Sequence, residues 1–164
     1  MFKRIKWWAE DVYRNTINGV KSIIKYTPTV YRMRDYDGEF TVLMFKKSLE
    51  QLCDRIEFKG SEVEDERMEK VKDMRRVIEL MDNFLADNYL ERSGYDDNFE
   101  ITFEKYSDSD KLYQLRDTCT KEQKKHNDRS IKLAHKLENN EWNEIWDTIK
   151  KGKESNIGLQ GWWD

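Results

Sequence analysis

Catalysis by a nucleophile needs a histidine poised beside a serine or cysteine, and the chain holds two histidines, His126 and His135. They are nine positions apart. On one helix that is about 900° of rotation at 100° per residue, which puts them on opposite faces. They cannot share a metal there, and with polar neighbours on both sides they read as surface groups. Cys53 and Cys119 lack the short ligand spacings of a tetrahedral zinc site, and Cys53, beside an apolar seam, reads as a small core residue. Asp35-Tyr36-Asp37-Gly38-Glu39 has the outline of a calcium loop but lacks the third Asp/Asn before the glycine and the glutamate at position twelve. Asp96-Asp97 and Asp108-Ser109-Asp110 could hold a divalent ion, though helix capping explains such residues equally well. The seven glycines are scattered and build no phosphate-binding loop. The reading is therefore of a protein without enzymatic activity, cofactor or metal.

Aromatic residues interleaved with basic ones are more informative. Lys3-Arg4-Ile5-Lys6-Trp7-Trp8 and Tyr31-Arg32-Met33-Arg34-Asp35-Tyr36 each set rings beside cations. Rings stack nucleobases at ~1–3 kcal/mol each, while arginine grips phosphate with two parallel hydrogen bonds. The candidate ligand-binding residues are Lys3, Arg4, Arg32 and Arg34 for phosphates, with Trp8 or Tyr36 to stack a base. Charge distribution supports them. Residues 1–34 hold eight basic groups against two acids, a net +6, and since the whole chain is at −3 the remainder carries −9. Such a field steers anions toward one end. The competing readings are a solvated basic face, a Trp8 committed to the core, or a basic amphipathic helix lying on a membrane. An isoelectric point near 5.6 opposes duplex nucleic-acid binding.

Those residues must be positioned by the rest of the chain. At 164 residues and 37% apolar, the sequence is sized for a single domain over 1–164. Six Trp, eight Tyr and seven Phe give it enough to bury despite 38% charged residues. The longest apolar run, Val42 to Phe45, is too short for a membrane span or a secretory signal. With two cysteines and no disulfide framework, the chain reads as cytoplasmic.

Apolar residues spaced by three and four predict a helix over 2–25, stopped by Tyr26-Thr27-Pro28. A connector over 29–39 leads to a second helix over 38–58, with the seam Val42, Phe45, Leu49, Leu52 and Ile56. Ser61 and Glu64 form a capping box for a third helix over 62–91, with the seam Val71, Met74, Ile78, Met81 and Leu85. The short connection between the two seams predicts an antiparallel helical hairpin over 38–91. Phe99, Ile101 and Phe103 alternate with polar residues, which predicts one short extended segment near 99–103, and no second strand is read beside it. Ser107 to Asp110 supplies a cap for a helix beginning at Leu112, Leu115 and Cys119. Asn139-Asn140 reads as a break in it and Gly152 as its end. The tail, 153–164, closes on Trp162-Trp163-Asp164 and is expected to dock on the bundle or on a partner subunit. The fold class is all-α: a helical bundle with one short extended segment, associating as a homo-oligomer.

Tyr31-Arg32-Met33-Arg34-Asp35-Tyr36-Asp37 leads into Leu43-Met44-Phe45-Lys46-Lys47-Ser48-Leu49-Glu50. Glu66-Arg67-Met68 through Asn88-Tyr89 follows, and the chain closes on Trp162-Trp163-Asp164. In this order the segments resemble a family of small tailed-bacteriophage proteins, over about 26–90 and the tail. Relatives often place Trp at positions such as Tyr31 and Tyr36, and the basic amino-terminal helix here is longer. The family brings no catalytic residues to carry over. By analogy, the resemblance implies a phage protein acting against host defence in an infected bacterial cell, as a sponge that sequesters an anionic nucleotide signal. The alternative it leaves is a helical inhibitor or adaptor acting on a host or virion protein.

Overall fold

The computed structural model describes residues 2–32, 38–59, 63–105 and 113–162; the side chains of residues 2–5 and 32 lie outside that description. The described elements are α1 (Phe2–Arg32), α2 (Gly38–Lys59), α3 (Glu64–Ala86), α4 (Tyr89–Arg92), β1 (Ile101–Lys105), β2 (Tyr113–Asp117), α5 (Lys121–Lys151) and a closing 3-10 turn, Leu159–Gly161. The architecture is all-α with one two-stranded ribbon. It divides into two compact units, Met1–Ser48 and Leu49–Asp164, with the boundary inside α2.

In the amino-terminal unit, α1 runs through the expected stop at Pro28. A proline removes one backbone donor, and the bias it places on the preceding residue is a preference. Locally, the Thr27 hydroxyl donates to the Ile23 carbonyl at 2.6 Å, and Tyr26 shares a 3.1 Å hydrogen bond with Ser48 of α2. Among the described residues, no side chain of α1's apolar stripe belongs to the buried core. Trp8, Ile23 and Ile24 are each about two-thirds exposed, where the sequence pattern alone suggested burial.

The core lies in the carboxy-terminal unit. Leu49, Leu52, Cys53 and Ile56 of α2 are buried, as are Val71, Met74, Val77, Leu80 and Met81 of α3, and Ala134, Ile145 and Ile149 of α5. Both seams are real from Leu49 onward, though α3 buries Val77 and Leu80 in place of Ile78 and Leu85, which are half-buried. Glu57 of α2 takes both carboxylate hydrogen bonds from Arg75 of α3. Helix α3 ends earlier than expected because Asp87 turns left-handed (φ 45°, ψ 40°) and donates its N–H to Phe84. The expected cap at Ser61 lies outside the described residues; Val63 precedes the helix without a side-chain cap.

Two expectations for the last third are corrected. Residues 113–117 are not the start of a helix but strand β2, antiparallel to β1, with Ile101 opposite Asp117, Phe103 opposite Leu115 and Lys105 opposite Tyr113. The expected cap at 107–110 lies outside the described residues. Helix α5 begins instead at Lys121 behind a complete capping box, in which Thr120 and Gln123 satisfy one another's orphan backbone groups. It then continues unbroken through Asn139-Asn140. The Asn139 amide turns back to donate to the His135 carbonyl at 2.8 Å, so its side chain does not compete for the backbone that follows. The polar stretch 123–127 also has a structural use. Asn127 both donates to the Asp96 carbonyl and accepts from its N–H, and Gln123 donates to the Asp96 carboxylate, clipping the loop before β1 onto α5.

Helix α5 ends at Gly152, whose φ of 69° suits a residue without Cβ; a Cβ there would also collide with Ser155 and Ile157. The chain then folds back. Trp162 is fully buried and its indole N–H donates to the Ile157 carbonyl at 2.8 Å. The return is anchored by Asp73 of α3, 1% exposed. Its carboxylate accepts the backbone N–H groups of Lys153, Glu154 and Ser155 and the Ser155 hydroxyl. Burial alone would raise the Asp73 pKa. The Ser155 hydroxyl and the three N–H donors outweigh it and hold the carboxyl below its ordinary 3.8.

Asp73→Ala strands those donors and is expected to cost roughly 3 kcal/mol, and Trp162→Ala about 3–5 kcal/mol. Because both secure one segment, denaturant titration of the double variant should fall short of the sum by about 1 kcal/mol or more. The contribution of Asp73 should be complete above about pH 5 and vanish as pH falls through its lowered native pKa. The acid limb of the pH–stability curve should accordingly flatten in Asp73→Asn.

Candidate functional site

Of the six residues nominated for ligand binding, Lys3, Arg4, Trp8 and Arg32 lie on α1, while Arg34 and Tyr36 lie outside the described residues. Among the four on α1, only the side chain of Trp8 is described, and it is 68% exposed beside an equally open Trp7. The ring is available to a ligand, but the helix separates its intended partners. From Arg4 to Arg32 the chain is one continuous helix, which at 1.5 Å per residue spans roughly 40 Å. A mononucleotide is far shorter. Within one protomer, Lys3, Arg4 and Trp8 form one group and Arg32 belongs to another. For both basic-aromatic segments to share one site within a protomer the helix would have to end near residue 25, as the sequence suggested; a site between subunits carries no such requirement.

Electrostatics along α1 remain one-sided. Its only acids, Glu10 and Asp11, pair with Lys6 at 3.9 Å and Arg14 at 2.9 Å on the same helix. Lys21 and Lys25 are exposed and have no carboxylate of α1 left to meet. Near the end of the helix, Ile23, Tyr26, Val30 and Tyr31 with Met44 of α2 border a shallow, largely apolar groove of ≈ 500 Å³. Among the described residues no charged side chain lines it.

Elsewhere the titratable clusters serve the scaffold. Glu141 accepts hydrogen bonds from Arg92, Tyr89 and Asn83. Burial would raise its pKa, but Arg92 and Tyr89 reverse that and hold it below the usual range. The Tyr89 phenol is pushed up by its own burial and then by the Glu141 charge. Glu144 joins Arg76 and Lys153, and the Arg76 hydrogen bond lowers its pKa. The Cys53 thiol is pushed up by burial, which leaves it the less nucleophilic protonated form. His126 shares a 2.8 Å hydrogen bond with the Gly94 carbonyl, and His135 lies 3.7 Å from Glu138. Among the described residues no group of three or more His, Cys, Asp or Glu side chains is placed to hold a metal.

One surface was not anticipated. Ile101 and Phe103 share a face of the ribbon with Leu115 and Tyr113 through the β1–β2 register, and all four are more than half exposed. Alternation of Tyr113 and Leu115 with Gln114 and Arg116 was the available signal. It was masked by Leu112, Leu115 and Cys119, which fall at helical spacing.

No protein-family model, curated protein or solved structure matches the chain.

Since Trp8 stands in solvent, Trp8→Ala should leave the unfolding free energy within about 0.5 kcal/mol of the parent. A core tryptophan at that position would cost about 3–5 kcal/mol, so one denaturant titration separates the two.

Proposed function

We propose that this is a non-catalytic interaction protein of phage origin, a helical adaptor or inhibitor that works by binding a host or virion protein. The observation that carries the reading is the β1–β2 ribbon. An isolated two-stranded ribbon is marginal in water and gains stability from a third strand or from packing on its apolar face. Here that face presents Ile101, Phe103, Tyr113 and Leu115, with the ribbon's outer backbone edges open among the described residues. A partner that supplies a strand would satisfy the edge groups and cover the rings together. The resemblance to tailed-phage proteins supports a host or virion protein as that partner.

Capture of an anionic nucleotide is the weaker reading on this geometry. It would need Lys3, Arg4 and Trp8 of one protomer to meet Arg32, Arg34 and Tyr36 of another, so the binding site would exist only in an oligomer.

Immobilised protein should retain one stoichiometric partner from lysate of phage-infected bacteria. Phe103→Ser with Leu115→Ser should lose it without moving the melting midpoint, since neither side chain is core. Capture that survives both substitutions overturns the reading. So does a cyclic nucleotide that raises the midpoint by ~5–10 °C at saturation, which would return the assignment to a sponge.

A further inference from the structure

Helix α1 carries a surface that neither the ribbon nor the scaffold accounts for. At 100° per residue, Val12, Tyr13, Val20, Ile23, Ile24 and Tyr31 fall within an arc of about 120°, and all are exposed. On the far side, Arg14, Lys21 and Lys25 fall within about 40° of one another, with Lys3 and Arg32 at the same angular positions. Glu10 and Asp11 are matched by Lys6 and Arg14 on the same helix, so the polar face keeps a net positive charge, with Lys21 and Lys25 left without a carboxylate of α1.

We propose that α1 is an interfacial helix that lies in the headgroup plane of an anionic lipid surface. A polar face of lysine and arginine opposite an apolar face, with interfacial aromatics and low overall hydrophobicity, is the pattern of helices that bind parallel to a bilayer. Both faces are satisfied at once: the apolar arc enters the acyl boundary while the cations meet lipid phosphates. Other anions do less. A free nucleotide or inorganic phosphate would neutralise cations but leave the apolar arc in water. A second copy of α1 would cover the arc but leave the cations of both copies facing water, with no anion to meet them. Binding here is peripheral, because no helix among the described residues is long and apolar enough to cross a membrane. The proposal is independent of the ribbon's partner, which sits on other residues.

The test is co-sedimentation of the full-length protein with vesicles. Vesicles of equal parts phosphatidylglycerol and phosphatidylcholine should retain it, phosphatidylcholine alone should not, and added salt should release it. Lys21→Gln with Lys25→Gln should weaken partitioning roughly twenty-five-fold, at about fivefold per cation. Ile23→Glu with Ile24→Glu should abolish it with no change in the melting midpoint. On binding, Trp8, about 40° from the edge of the apolar arc, should become more strongly quenched by brominated lipid, which reports insertion of this helix. Three results overturn the proposal. One is absence from anionic vesicles at low salt, including the case where sedimentation velocity shows a dimer that Ile23→Glu with Ile24→Glu dissociates. Another is equal retention of the glutamate variant, which would reduce the effect to charge alone. The last is complete displacement by inorganic phosphate at matched phosphate concentration and ionic strength, which would make the ligand a free anion.

Discussion

A buried carboxylate holds the carboxy-terminal unit closed. Asp73 sits on α3 among Val71, Met74 and Val77, all essentially inaccessible, where an unpaired charge would be strongly unfavourable. It is tolerated because the chain leaving α5 supplies three consecutive N–H donors and a hydroxyl. The chain presents those N–H groups in a row because it reverses direction just after Gly152, and the one buried carboxylate accepts all three. The charge and the chain reversal each make the other affordable. Everything downstream depends on the reversal: Gly158 passes against the Lys150 carbonyl so closely that a Cβ would collide with it, and Trp162 fills the core behind it.

The other ionic contacts reinforce this arrangement without defining it. Arg76 joins Glu144, and Glu144 joins Lys153 at the edge of the Asp73 cradle, so α3, α5 and the returning chain meet in one network. Glu141 ties α4 to α5 through Arg92 and Tyr89. These groups show shifted pKa values of the kind that mark active sites. Here each shift has a partner that fastens two elements: Arg92 and Tyr89 of α4 for Glu141, and Arg76 of α3 for Glu144. Perturbed titration is thus a consequence of building a small core from a chain that is more than a third charged.

How much was legible in the sequence follows from which contacts are local. The α2 and α3 seams were readable from Leu49 onward because burial on one face imposes a spacing of three and four. Helix α1 was readable as a helix but not as an exposed one, since periodicity reports an apolar face and not whether anything covers it. Its length was misjudged because Pro28 ends helices only on average. The β2 strand was lost to a coincidence of spacing at Leu112, Leu115 and Cys119. Asp73 gave no signal at all. Its donors lie some eighty positions away, and nothing local distinguishes it from the exposed acids around it. The candidate site suffered in the same way: its residue types were visible, but the roughly 40 Å between them follows from a helix boundary.

That boundary also bears on how α1 persists. Its interior includes Gly19 and Pro28, which cost about 1 and 3 kcal/mol relative to alanine, and a run of Thr, Ile and Val with lowered helix propensity. Against this stand two ion pairs within the helix, worth about 0.2–0.5 kcal/mol each. Propensity and local pairing alone do not hold such a helix in water; most helices are held by burying an amphipathic face. The core in the second unit is complete without it, built from Leu49 to Trp162. An amphipathic helix with unfavourable propensity and an exposed apolar arc is therefore most stable where something outside the core receives that arc. The same burial that secures the helix would also be the energy of binding.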